Sequence, residues 1–495
     1  MNHSAHYSRP PTSIRGPSTL DAIVIGSGPN GLAAAITLAL AGRSVRVYEA
    51  EATIGGATRS AELTQPGFIH DVCSAVHALV LASPFLSTLP LGEHGLELVH
   101  PPAPFAHPLD DGTAVVVERS IEATLESLGG KDARAYRNLV APFAARAGEL
   151  MEALLGPPGI RHPILMARFG LAAIRSAAGL AHRRFQDERT RALLAGAAAH
   201  SMVPLEQAAT AGYGLGLIVM AHAAGWPVAK GGSQRVADAL ASYLRALGGE
   251  IVTGTRVESL AQLPPSRAVL CDITPRQFLR IAGPRLPSLY RRRLEAYRYG
   301  PGVFKMDWAL NHPVPWRASA CCRAGTVHVG GSLDDIAASE RAAWRGHVHD
   351  RPYVLIVQPA VCDETRAPAG KHTLWGYCHV PNGAAEAMAE RVEDQIERFA
   401  PGFRDCIAAR HAMGPAELER RNANLVGGDI AGGAADLTQL LARPILSVNP
   451  YATALDNVYL CSSSTPPGVG VHGMCGHNAA RAALRATFRQ AYPST

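Results

Sequence analysis

Glycines near the N-terminus, an acid shortly after them and a lone strand lysine far downstream are the residues of this chain whose types and spacing suit chemistry. Gly26-Ser27-Gly28-Pro29-Asn30-Gly31 follows the apolar run Ala22-Ile23-Val24-Ile25 and precedes the small-residue stretch Leu32 to Ala41. Glu49 closes a second alternating run, Ser44 to Tyr48, and stands 18 residues after Gly31. Strand, glycine turn, helix, strand and acid in this order make a dinucleotide cradle. Gly26 permits the tight turn, Gly28 lets backbone approach a pyrophosphate, and Gly31 lets the helix pack against the strand. Ser27, Pro29 and Asn30 complete the loop, and the helix N-terminus turns free N–H groups toward the phosphates. Glu49, followed by Ala50, is placed to accept hydrogen bonds from both ribose hydroxyls. Its charge disfavours a 2′-phosphate, so NADP is not expected.

A second glycine pair narrows the choice of dinucleotide. Gly55-Gly56-Ala57-Thr58-Arg59 lies just past the acid and offers another stretch where only backbone meets ligand. That suits an extended ligand whose diphosphate and ribityl chain run past the loop, FAD rather than NAD. Arg59 adds positive charge near the phosphates or the flavin. At the far end, Asn457 to Cys461 reads as a strand, Ser462 to Val471 as a loop, and Gly473-Met474-Cys475-Gly476-His477-Asn478 as the opening of an Ala-rich helix. N–H groups at that helix start suit the N1 and C2-carbonyl side of a reduced flavin, which adds Gly473, Met474 and Cys475 to the expected cofactor residues.

The two glycine turns, with the terminal PPGVGVHGMCGHNAARAA, resemble the FAD-dependent phytoene desaturase-like superfamily, and most nearly its branch of pyridine nucleotide-disulphide oxidoreductase domain-containing proteins. Pro66-Gly67-Phe68, His70-Asp71, Ser83-Pro84, Asn422-Ala423-Asn424, Gly427 to Ile430, Arg443-Pro444 and Asn449-Pro450-Tyr451 extend the likeness over most of residues 20–490. The resemblance implies an α/β fold: an FAD-binding Rossmann-like domain with an inserted mixed α+β substrate domain, as in flavin amine oxidases and phytoene desaturases. The expected division is a disordered tail over 1–20, an FAD-binding domain from 21–90, 226–285 and 421–495, and a substrate domain from 91–225 and 286–420. In related flavoproteins a valine packs its backbone against the adenine, a role carried here to Val257. The implied activity is an oxidase, dehydrogenase or desaturase that moves hydride from a hydrophobic small molecule (isoprenoid, carotenoid-like or amine) to flavin N5. Two readings stay open beside it: a reduced-FAD cis–trans isomerase or saturase, and a non-catalytic, flavin-stabilised protein that binds a partner.

Two residues are the catalytic candidates. Tyr299 to Trp308 reads as a strand after a turn, and alternation puts Val303, Lys305 and Asp307 on one face. The spacing resembles the strand of flavin amine oxidases that supplies a lysine bridged by water to flavin N5. Only four of the 47 basic residues are lysines, so a lysine inside a strand is uncommon here. The alternative for Lys305 is an ion pair with Asp307 on a solvent-facing edge. Among 20 histidines, His472 beside the proposed flavin helix is the one expected to touch flavin or substrate. His200, His222 and His379 are weaker pocket candidates, each read first as structural.

The elements that must position these groups are legible in outline. Trp226 to Gln234 precedes an amphipathic helix carrying Val236, Leu240, Leu244 and Leu247, then a strand from Glu250 to Thr253. Arg267 to Asp272 reads as a strand returning to the nucleotide sheet. The apolar stretches 72–92, 156–180 and 208–229 suit the walls of a greasy channel. Val72–Gly92 and Ala208–Ala229 lack Asp, Glu, Lys and Arg, yet both contain proline, so buried core is expected rather than a membrane span. Gly156 to Arg184 mixes apolar residues with Arg and His, the pattern of a helix lying on a membrane surface or of an ordinary helical lobe.

Composition sets the outer bounds. With 495 residues, 47% hydrophobic and 18% charged, the chain can bury a large core. A net charge of +6 without a long basic run gives no expectation of nucleic acid binding. Nine cysteines without a CxxC pair read as reduced and cytoplasmic and provide no dithiol centre. No HExxH, Cys/His quartet or GxSxG occurs, so neither a metal nor a serine nucleophile is expected. A single GxGxxG unit favours oxygen or a quinone as electron acceptor. Peripheral membrane contact and a dimer are compatible with this reading.

Overall fold

The computed structural model describes residues 20–130 and 132–490. The tail expected over residues 1–20 lies outside the described residues except for Leu20, which begins the first strand. Two sheets organise the rest. The first is five-stranded and wholly parallel, in the order Val458–Leu460, Ser266–Cys271, Leu20–Ile25, Val45–Tyr48, Glu250–Val252. Ala22, Ile23 and Val24 at its centre are fully buried, as continuous apolar runs in parallel sheets must be. The helix Pro29–Leu40 is apolar nearly all round because it lies between this sheet and two other helices, Gln234–Ala246 and Met474–Ala486. Strands from three distant stretches of chain thus share one sheet, and the carboxyl ends of the strands form the site.

The second sheet has seven strands in the order Ile407–Met413, Gly302–Leu310, His372–Val380, Val354–Val357, Ala324–Val329, Ala103–Pro108, Ala114–Val117. All neighbours are antiparallel except Ala324–Val329 with Ala103–Pro108. Alternation divides its long strands cleanly. Phe304, Met306, Trp308 and Leu310 face the helix Ala389–Phe399 and pack with Val392, Ile396 and Phe399. Val303, Leu355, Val357, Trp375 and Tyr377 belong to the other hydrophobic cluster, continuous with the nucleotide sheet.

A helical lobe between Ile121 and Ala223 covers that second face. Its central helix, Thr210–Ala223, buries Leu215, Ile218 and Val219 and gives the apolar stretch 208–229 its place in the core. No single helix among the described residues is long and apolar enough to cross a membrane. One adjacent pair, Pro163–Ala173 and Ala177–Arg184, passes by composition and is bent by 91°.

Candidate active site

One cavity of about 460 Å³ runs from the glycine loop to the second sheet. At the nucleotide end it is lined by Gly26, Ser27, Gly28, Pro29 and Asn30 on one side and Glu49, Ala50, Gly56, Ala57, Thr58 and Arg59 on another. Gly31 lies just behind: a Cβ there would overlap the Gly26 carbonyl oxygen, so only glycine lets the helix start this close to the strand end. Gly55 is also behind the wall, where its N–H donates to the Ser27 carbonyl at 3.1 Å and pins the second glycine turn to the first. Gly56 then approaches Gly28, its would-be Cβ 3.2 Å from the Gly28 Cα.

Glu49 is buried, and its two oxygens are held apart. Oε2 accepts from the Ser27 N–H at 2.9 Å and from Ser27 Oγ at 2.5 Å, while Oε1 accepts from the Glu51 N–H at 3.0 Å. Arg59 Nη2 stands 3.4 Å from Oε1 and donates to the Thr53 carbonyl at 2.9 Å, so its charge sits at the acid. Beside them Thr255, Arg256 and Val257 line the wall, and the Thr255 N–H donates to the Glu49 carbonyl at 2.8 Å. Val257 lies five residues past the strand Glu250–Val252, in a segment without helix or strand.

A second acid shares this end. Asp272 follows the strand Ser266–Cys271, lines the cavity, and accepts the Gly31 N–H through Oδ2 at 2.8 Å. The same oxygen lies 2.8 Å from where a Gly28 Cβ would stand. Burial pushes its carboxyl up to about 7, the Glu49 charge adding to the rise and the Gly31 hydrogen bond opposing it. Asn424 braces the acid, its Nδ2 donating to the Asp272 carbonyl at 3.0 Å and its Oδ1 accepting from the Thr274 N–H at 2.9 Å. Asn422 to Leu425 also line the wall.

The C-terminal contribution departs from expectation by a few residues. Ser463 and the loop Val469, Gly470 and Val471 line the cavity; Gly473, Met474 and Cys475 do not. The helix Met474–Ala486 crosses Pro29–Leu40 so closely that a Cβ on Gly476 would overlap the Asn30 carbonyl oxygen. Its first turn is spent on that contact and the preceding loop takes the cavity face. His472 is likewise corrected. It is fully buried behind the loop, and its Nδ1 accepts the Met474 N–H at 3.0 Å, capping the helix. Burial pushes the imidazole down to about 4, so it is neutral at pH 7.

At the other end the wall is apolar. Leu355, Val357, Trp375 and Tyr377 come from the sheet, and Met202, Leu217 and Met220 from the helical lobe. Trp226 Nε1 donates to Thr326 Oγ1 at 2.8 Å, which fixes that indole in the wall. His200 is the histidine of this end that lines the cavity, its Nε2 3.1 Å from His328 Nε2. His222 instead bonds Tyr136 and His379 bonds Glu340, both away from the wall.

Lys305 shares the inward face of the sheet, opposite Tyr377 in register, but is not part of the wall. Its Nζ pairs with Asp307 and lies 5.7 Å from the Trp375 ring centroid. The pair with Asp307 therefore forms, but at 1% exposure for Lys305 rather than on a solvent-facing edge. The reason is the sheet itself: Gly302–Leu310 is flanked by strands on both sides and covered on both faces. His70 Nδ1 at 3.6 Å extends the cluster toward Asp71, whose Oδ2 accepts from Arg366 Nη2 at 2.6 Å. Burial alone would raise the Asp71 carboxyl, yet Arg366 holds it below its ordinary value.

The residues present fit FAD. The Asn30 amide oxygen is buried and unpartnered beside the glycine loop, Glu49 lines the far side where a ribose would lie, and the backbone cradle admits no Cβ. No group of His, Cys, Asp and Glu among the described residues could hold a metal ion. Asp272, Asn422, Asn424, Ser463 and Val469 to Val471 are among the site residues whose roles sequence reading missed.

Comparison with known proteins agrees with this geometry. The profile of the family described as FAD dependent oxidoreductase matches residues 21–277. The mouse (Mus musculus) pyridine nucleotide-disulfide oxidoreductase domain-containing protein 2 is 28% identical, with 94% of this chain and 93% of that protein covered. A phytoene dehydrogenase of Streptomyces griseus is 26% identical, with 93% of each covered. Among solved structures, an oxidoreductase from Methanosarcina mazei superposes with a TM-score of 0.63 at 14% identity, covering 94% of this chain and 100% of that one.

Proposed function

The chain belongs to the family of FAD-dependent oxidoreductases, and from that premise we propose that it withdraws hydride from a hydrophobic small molecule and passes the electrons to oxygen or a quinone. The observation that carries this reading is the continuity of the cavity: the dinucleotide cradle opens, without an intervening wall, onto an apolar chamber. FAD, when bound, supplies the hydride-accepting ring. The chain's own residues do the rest. The start of the helix Pro29–Leu40 faces the diphosphate, and Glu49 takes the ribose hydroxyls. Asp272, its carboxyl pushed up to about 7 by burial, carries less negative charge beside the anion than an ordinary carboxylate would.

In the chamber, Trp226, Trp375 and Tyr377 exclude water and fix a substrate by shape, which holds the reacting C–H bond in line. His200 presents a neutral imidazole, pushed down to about 3 by burial, whose Nε2 is engaged by His328. A polar group on the substrate would find hydrogen-bonding capacity there in an otherwise greasy wall. The full-length relative named for the dehydrogenation of phytoene favours an isoprenoid over an amine. The test is spectroscopic. The purified holoprotein is mixed anaerobically with isoprenoid alkenes, alcohols and amines, and flavin absorbance is followed. Bleaching by an isoprenoid is expected; bleaching only by amines, or by nothing in the panel, overturns the reading.

A further inference from the structure

Seven of the nine exposed large aliphatic side chains among the described residues fall in two short segments. Ile160, Ile164, Leu171 and Ile174 lie on or beside the helix Pro163–Ala173 and are 56% to 91% exposed. Leu441, Leu446 and Val448 are as open or more so. Inside the molecule the helix is anchored by Leu165 and Phe169, the latter edge-on to Phe143 at 5.3 Å. An apolar side facing the core is ordinary; a second one facing outward is not.

The first segment packs on a helix of the cavity wall. The Ala209 N–H donates to the Ile174 carbonyl at 2.9 Å, and Gly212 packs on Ala173, the would-be Cβ 3.1 Å from the Ala173 Cβ. The next residue, Tyr213, lines the cavity, and its hydroxyl feels the charge of Arg443, which lies within the second segment. The first patch therefore adjoins the helix that carries this part of the wall.

Charge identifies the occupant. Arg168 and Arg175 in the first segment, and Arg183 and Arg184 at the end of the following helix Ala177–Arg184, are exposed, and none forms an ion pair with a described residue. No Asp or Glu occurs between Glu152 and Asp187, nor between Asp436 and Asp456. A two-fold contact with a second copy would set this uncompensated positive surface against itself. We propose that the face formed by Ile160, Ile164, Leu171 and Ile174 docks on an anionic lipid bilayer, aliphatic side chains entering the acyl boundary and arginines meeting the headgroups. The docked helix packs against Thr210–Ala223, whose Tyr213 lines the cavity.

Vesicle flotation of the full-length holoprotein tests this independently of any flavin chemistry. Phosphatidylcholine vesicles are compared with vesicles containing phosphatidylglycerol, at low salt and at about 150 mM, where the Debye length is about 8 Å. Binding to the anionic vesicles that weakens with salt is expected. Ile164→Glu with Leu171→Glu should reduce the bound-to-free ratio at least about tenfold while leaving FAD content and Tm unchanged. Arg168→Gln with Arg175→Gln should reduce it on anionic vesicles only. Equal binding of wild type and the Glu variant, or no binding to either vesicle, overturns the proposal. So does a concentration-dependent dimer that the Glu variant abolishes, because a second copy then owns the face.

Discussion

The two ends of the cavity use charge in opposite ways. At the nucleotide end the acids face the ligand: Glu49 and Asp272 both line the wall, held by backbone N–H groups. At the chamber end the charges stand behind the wall and face each other, as Lys305 with Asp307 and Arg366 with Asp71. One end reads its ligand by hydrogen bonds to fixed polar atoms. The other reads by shape, and its buried ions hold the strands and turns that make the shape. The difference teaches that proximity of an ionisable side chain to a cofactor pocket is a poor guide to whether it acts in that pocket.

The comparison breaks most severely at the ion pairs. Asp71→Ala leaves the buried Arg366 guanidinium with only Asp363, at 3.9 Å, as a counter-charge and should cost about 3 kcal/mol in denaturant unfolding of the apoprotein. A cost below about 1 kcal/mol would show that the pair is not what supports the chamber. Glu49→Gln keeps the shape but removes the charge offered to ribose. Hydrogen bonds to charged groups are worth about 1.5–3 kcal/mol, so FAD affinity measured by flavin fluorescence should fall roughly 10- to 100-fold.

Asp272 sharpens the contrast through pH. Its folded value of about 7 lies above the unfolded carboxyl value, so the folded chain keeps a proton that the unfolded chain releases. Apoprotein stability should fall as pH rises from about 4 to 7 on this account. FAD affinity should also fall as pH passes 7, because ionised Asp272 then faces the diphosphate. Asp272→Asn should flatten both slopes, and an unchanged slope would remove the acid from the account. The smallest effect is expected from Lys305→Met combined with Asp307→Leu. Replacing a whole buried pair by apolar residues is often neutral, so stability should change by less than about 1 kcal/mol. Flavin reduction by substrate should stay within about threefold; a larger loss would bring Lys305 back into the chemistry.

Legibility in the sequence followed the same divide. The nucleotide end is written in one stretch, Gly26 to Arg59, where each residue type has a local reason, and the fold class follows from it. Asp272 and Asn424 were visible as residues, at a strand end and in a shared motif, but they meet Gly31 and Thr274 across 241 and 150 positions, which no local pattern reports. Alternation placed Lys305 and Asp307 on one face correctly, yet a strand's period says nothing about which further layer covers that face. At the C-terminus, glycines that read as an approach to flavin serve an approach of helix to helix. The helix Thr210–Ala223 is apolar on every side, so its periodicity could not say that Tyr213, Leu217 and Met220 look into a cavity.

The parallel sheet is finished by Val458–Leu460, more than four hundred positions after its central strand. At about 5–20 residues per second, a ribosome takes on the order of 20 to 90 seconds to span that interval. Throughout it the nascent N-terminal βαβ unit waits without the partner that seals it. The wall of the cavity is therefore completed late in synthesis, and a chain cut upstream of Val458 lacks Ser463 and Val469 to Val471 from it.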